Sequence, residues 1–122
     1  MTDTTATFFQ DLQHRGHEDT LRRVAGTVRC DVVDGDLVDH WLVKIDKGDL
    51  AVSRADGPAD CAIAGEKELF DRLATGQANA MAAVLRGAIS VDGDLDLLLA
   101  AQRLFPGPQR VPNEAANGSI GR

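Results

Sequence analysis

Residues 26–53 read GTVRCDVVDGDLVDHWLVKIDKGDLAVS, and their apolar side chains fall at every second place. Val28, Cys30 and Val32 alternate with Thr27, Arg29 and Asp31. Trp41, Val43 and Ile45 alternate with Leu42 and Lys44, and Leu50 and Val52 with Ala51 and Ser53. Successive side chains of a strand point to opposite sides of its sheet, so a period of two marks strands with one buried face. Asp34-Gly35-Asp36 and Lys47-Gly48-Asp49 are turn chemistry between them. Three strands joined by glycine turns predict an antiparallel meander with Trp41 facing inward.

On the N-terminal side, Phe8, Phe9 and Leu12 share one side of a helix that Gly16 interrupts. A second short helix is expected next, with Glu18 and Asp19 at its positive end and Leu21 and Val24 inside. On the C-terminal side, residues 60–64 read as a fourth strand. Leu69, Phe70 and Leu73 then give a helix one apolar stripe, with Gly76 placed to end it. Asn79 can cap a helix from Ala80 to Arg86, Ile89 and Val91 mark a fifth short strand, and a last helix runs from Leu95 to Phe105. The order ααββββααβα is an α+β arrangement, a five-stranded mixed, mainly antiparallel sheet with helices mainly on one face. We expect one domain over residues 5–105. Pro106, Gly107, Pro108 and Pro112 argue for a mobile tail over 106–122.

Composition narrows the function classes. Thirteen Lys plus Arg against nineteen Asp plus Glu leave a net charge of -6 in 122 residues. That balance opposes nucleic-acid binding, which neutralises phosphates with cations, and allows at most transient membrane contact. The longest apolar run, Ala80 to Leu85, is far short of the roughly 20 residues that span a bilayer. No basic, apolar leader opens the chain, and Cys30 and Cys61 both sit in apolar segments as small hydrophobes, so a cytoplasmic address is expected.

Chemical motifs fail on inspection. His14 and His17 supply half a zinc shell, and Gly16 breaks the helix their spacing needs. Asp92, Asp94 and Asp96 imitate a calcium loop, but its sixth and twelfth positions hold Leu97 and Arg103 where glycine and glutamate are required. Ser53, Ser90 and Ser119 lie outside any nucleophile elbow, and no glycine-rich phosphate loop precedes a helix. No enzyme activity, metal or cofactor is expected.

Two helices are too apolar for a surface. Leu95, Leu97, Leu98, Leu99, Leu104 and Phe105 wrap most of the last helix, and Ala80 to Leu85 is apolar all round. Such helices are covered on more than one side. Central packing, a ligand cavity and a dimer interface all satisfy that demand. In the last helix, Leu95, Leu98 and Gln102 share one side and Leu97, Ala101, Leu104 and Phe105 another. If the second side packs on the sheet, the first is free to line a pocket.

Three stretches also carry a resemblance: DCAIAGEKELF at 60–70, GQANAM at 76–81 and LRGAISVDGDL at 85–95, closing in Leu104-Phe105. This pattern resembles the sterol carrier protein-2 family, in which a glycine-terminated helix precedes a short apolar helix, a strand and a final apolar helix. The family's lysine-rich strand is replaced by Ala88, Ser90 and Asp92. The resemblance implies a non-catalytic lipid-binding or lipid-transfer domain. An apolar tunnel between sheet and helices would take a sterol, fatty acid or fatty acyl-CoA. It places the tunnel lining on Phe9, Leu12, Trp41, Leu69, Leu73, Met81, Leu85, Leu95, Leu98 and Leu99; Gln102, on the side of the last helix it shares with Leu95 and Leu98, is expected to be a polar anchor for the ligand's head. The alternative is a dimerisation or interaction module of the same fold with no ligand, and a homodimer fits either reading.

Overall fold

The computed structural model describes residues 3–106. The expected meander is β1 (Ala25–Asp34), β2 (Leu37–Asp46) and β3 (Asp49–Ser53), followed by β4 (Cys61–Glu66) and β5 (Ser90–Gly93). The sheet order is β3-β2-β1-β4-β5. Every neighbouring pair is antiparallel except β1 with β4, where Val28 faces Cys61 and Cys30 faces Ile63. Cys30 and Cys61 therefore sit two residues out of step on neighbouring strands, and both are free, buried thiols. At the β2–β3 turn, Lys47 and Gly48 both have positive φ, the twist that matches flanking strands in a two-residue hairpin. Gly48 has a second reason to be glycine: a Cβ there would meet the His17 ring at 2.8 Å.

Alternation sets the layers. Val28, Cys30, Val32, Trp41, Val43, Ile45, Leu50, Val52, Cys61 and Ile63 are all buried on one face. Helices α1 (Thr4–Arg15), α2 (Lys67–Ala74) and α4 (Leu95–Ala101) cover that face; α1 contacts β3, and α2 and α4 contact β1 and β4. The opposite face is crossed by residues 54–60. Arg29 on that face donates to the Gly57 carbonyl at 2.9 Å, and the Thr27 N–H donates to Asp60 at 2.8 Å.

The helix ends follow the sequence. Asp3, Asn79 and Asp94 accept from backbone N–H groups of Ala6, Ala82 and Leu97, opening α1, α3 (Ala80–Leu85) and α4. A polar clasp ties α1 to α2. Asp71 accepts from the Thr5 N–H at 3.1 Å and the Thr5 hydroxyl at 2.6 Å, and Lys67 bridges Asp71 and Asp3.

One expected element is absent. Residues 18–24 form a single 3-10 turn, Asp19–Leu21, in place of a second helix. The chain leaves α1 through Gly16 in the left-handed region, and His17 then bridges to Asp49 beside β3. The Glu18 N–H also donates to the Gly48 carbonyl at 2.8 Å, which holds the start of the segment against the β2–β3 turn and off a helical path. The expected tail beyond Pro106 lies outside the described residues.

Candidate functional site

The site begins as a gap in the core. Inward alternation brings Val28 and Cys30 of β1, Val43 of β2 and Ile63 of β4 under α1 and α4. Phe9 and Leu12 roof it from α1, and Leu98, Ala101, Leu104 and Phe105 from α4 and the 3-10 turn Gln102–Leu104 that continues it. Cys30 and Ala101 are small where larger side chains would meet, and a void of about 20 Å³ is left. Its walls are apolar but for the Cys30 thiol, which burial pushes far above the ordinary cysteine range and holds neutral. A space that small has room for about one water, and these walls give it no polar partners.

A row of rings leads outward from this void. Trp41 stacks on Phe9 at 4.8 Å, Phe9 meets Phe8 edge-on at 5.3 Å, and Phe8 stacks on Phe105 at 4.8 Å. At the far end, Arg54 lies 5.0 Å over the Trp41 ring and pairs with Asp39 at 2.8 Å. The geometry is that of a cation over an aromatic face.

One open depression adjoins the void, and a second adjoins the first. A groove of about 320 Å³ runs between α1 and the chain after α4, with Phe8, Leu12, Leu104 and Phe105 as its apolar part and Asp11, Arg15 and Arg103 at its polar rim. Leu12, Leu104 and Phe105 are shared with the void, so the two spaces are separated by side chains alone. Beyond Arg103 lies a wider cleft of about 700 Å³, where Leu21, Val24, Leu99 and Ala100 stand among Arg22, Arg23 and Arg103. Arg22 has Asp19 at 3.6 Å, while Arg23 and Arg103 have no carboxylate within ion-pair distance among the described residues. Three guanidinium groups beside an apolar floor, in a chain of net charge -6, can hold an anionic head while the floor takes a hydrocarbon.

The expected lining residues divide into three groups. Phe9, Leu12 and Leu98 line the void, and Trp41 backs it through Phe9. Leu69 and Leu73 are buried under α2, away from the void, and Met81 is half-buried against the core. Leu85, Leu95 and Leu99 point outward, 84%, 47% and 40% exposed, with Leu99 in the arginine cleft. Gln102 is half-buried and outside the void wall. Leu98 borders the gap together with residues from both sides of the last helix. This residue is 1% exposed and shares the void with Ala101 and Leu104, while Leu97 presses on Gly26, where a Cβ would come within 2.8 Å. Leu85 is misplaced because α3 is only six residues long, and its last residue projects beyond the layer.

Other residues escaped the sequence reading. Cys30 and Ala101 are too small to suggest a lining role, though their smallness makes the gap. Arg22-Arg23 is the one place where two cations stand side by side in the sequence, a signal that was present. Arg103 joins them only through the fold. Among the described residues, no three His, Cys, Asp or Glu side chains converge as metal ligands would.

A sequence model of the SCP-2 sterol transfer family matches residues 8–106. A search of curated protein sequences finds no significant match. Among solved structures, the sterol carrier protein domain 2 of Helicoverpa armigera aligns with TM-score 0.68 at 19% identity, covering 83% of this chain and 84% of that one. Sterol carrier protein-2 from Aedes aegypti in complex with palmitate aligns at 0.67 and 19%, covering 84% and 94%. Sterol carrier protein 2 like 2 from the same organism aligns at 0.65 and 20%, covering 82% and 94%. With an α+β fold of this order and a family match over most of its length, the chain belongs to the SCP-2 sterol transfer family.

Proposed function

We propose that this domain binds a single-chain anionic amphiphile, a long-chain fatty acid being the type, and transfers it without chemistry of its own. The hydrocarbon would enter the void between sheet and helices, and the carboxylate would rest on Arg103 with Arg22 and Arg23. The observation that carries this reading is the juxtaposition of a dry apolar gap with an arginine-rimmed apolar cleft, Arg103 lying on the path between them. Palmitate in the Aedes aegypti relative supports the ligand class. The raised thiol of Cys30 supports a passive wall over a nucleophile.

Isothermal titration with palmitate and methyl palmitate tests it. Palmitate should bind, and the ester about tenfold more weakly, since a charge-assisted hydrogen bond contributes about 1.5–3 kcal/mol when desolvated and less at an open cleft. Arg103→Gln should erase the difference between the two ligands. Equal binding of acid and ester by the unaltered protein would remove the arginines from the reading, and no binding of either would remove the lipid.

One observation favours a second reading, an interaction module without ligand. A void of about 20 Å³ is small against the roughly 300–1,000 Å³ of ligand pockets, so the interior is nearly full. Native mass spectrometry separates the two: a lipid-free dimer that survives dilution supports the module, and a monomer carrying co-purified lipid supports the carrier.

A further inference from the structure

We infer that Phe105 is the gate through which a hydrocarbon chain reaches the interior, its ring being, among the described residues, the one part of the partition not anchored in a regular helix. Three residues separate the void from the outer groove: Leu12, Leu104 and Phe105. Leu12 is buried within α1 and Leu104 within the 3-10 turn after α4, and each is held by its own helical backbone. Phe105 is different. Its backbone has left the helix for an extended conformation and, among the described residues, keeps one backbone hydrogen bond, from its N–H to the Gln102 carbonyl at 3.1 Å. Pro106 follows and has no N–H with which to fix the chain further. The ring is half-buried and rests on Phe8 at an interplanar angle of 8°. A rotation of this one side chain away from Phe8 joins the void of about 20 Å³ to the groove, whose own volume of about 320 Å³ already lies at the lower end of the ligand-pocket range, roughly 300 Å³.

The groove also fixes the direction of entry. Arg15 and Arg103 stand at its rim, Arg15 already paired with Glu18 at 3.3 Å and Arg103 without a carboxylate among the described residues. An amphiphile would present its tail to Phe105 while its anionic head stays at Arg103. The ligand class rests on the lipid-binding reading, but the opening itself is testable without lipid.

The two cysteines supply the test. Cys30 lines the void at 2% exposure, whereas Cys61 is fully buried and outside the void wall. A small neutral thiol reagent, methyl methanethiosulfonate, reaches Cys30 by way of the gate and Cys61 only by wider unfolding. In the full chain, Phe105→Ala should raise the labelling rate of Cys30 at least tenfold over the unaltered protein with Cys61 unchanged, and Phe105→Leu should fall between. An unchanged Cys30 rate overturns the gate. So does equal acceleration of both cysteines in both variants, which would make Phe105 an ordinary core contact. In a second arm, palmitate association and release are followed by Trp41 emission. Phe105→Ala should raise the association rate at least tenfold and release with it. An unchanged association rate, with only release accelerated, would make Phe105 a pocket wall and overturn the gate. Opening of Cys30 in a protein that never binds palmitate would sustain the gate and sink the lipid reading.

Discussion

Helices α2 and α4 cover the same face of the same sheet, yet they use their apolar residues differently. In α2, Leu69, Phe70 and Leu73 are all buried, Glu68 and Arg72 face solvent, and Asp71 and Lys67 clasp α1. In α4, Leu97, Leu98 and Ala101 are buried, but Leu95 and Leu99 remain substantially exposed and no side chain makes an ion pair with a neighbouring element among the described residues. One helix ends where its packing ends. The other carries apolar surface beyond what the core consumes, on the side where the arginine cleft opens. The difference teaches that excess leucine, and not leucine as such, marks the helix whose apolar surface the core leaves over.

The largest effects should come from the buried stripes, and they should differ. Leu73→Ala empties a fully enclosed site and should cost about 3–5 kcal/mol in urea unfolding. Leu98→Ala should cost about 2–3 kcal/mol, because Leu98 already borders a gap and has fewer contacts to lose, and palmitate binding should persist. Equal losses at both sites would break the comparison. Leu99→Ser comes next. Its stability should stay within about 0.5 kcal/mol, while palmitate affinity falls roughly fivefold, about 1 kcal/mol, as half-buried apolar surface leaves the cleft. The reverse pattern would make Leu99 part of the core.

How far the sequence showed this depends on the kind of signal. Alternation over 26–53 marked both hairpins and the inward side of Trp41 correctly, because burial of one sheet face leaves its period in the chain. Caps at Asn79 and the apolar stripe of α2 were equally readable. The 18–24 segment was misread because its helix-like composition competes with a tertiary bridge, His17 to Asp49, that no local pattern records. The void was legible only in part, through Phe9, Leu12 and Leu98. It exists where small residues from distant parts of the chain, Cys30 and Ala101, happen to oppose each other, and a search for large apolar side chains passes over both.

The smallest expected effect probes the clasp that α2 has and α4 lacks. The Asp3 carboxylate is held below its ordinary value by the Ala6 N–H and by Lys67, against a partial opposing effect of burial. A depressed native value stabilises the fold above the unfolded value of 3.8 and ceases to do so as pH falls below it. Hydrogen exchange at Ala6 should therefore accelerate, relative to amides of α4, as pH drops from about 5 to 2. Asp3→Asn should flatten that dependence, and parallel behaviour of α1 and α4 in the unaltered protein would count against the clasp.

Hairpins β1–β2 and β2–β3 close over two-residue turns and form within about 1–10 μs, a local event. The parallel seam between β1 and β4 cannot form that way. Its opening hydrogen bond, Thr27 to Asp60, spans 33 positions, and that loop-closure entropy is lost before any contact repays it. During folding the meander thus stands for a time with Val28, Cys30 and Val32 uncovered on one side. Docking of β4 is the step that joins the two halves of the chain, brings α2 and α4 over the sheet and removes both thiols from water. In refolding, the seam works as a clock: a pulse of thiol reagent at successive times records the moment when the domain first acquires an inside.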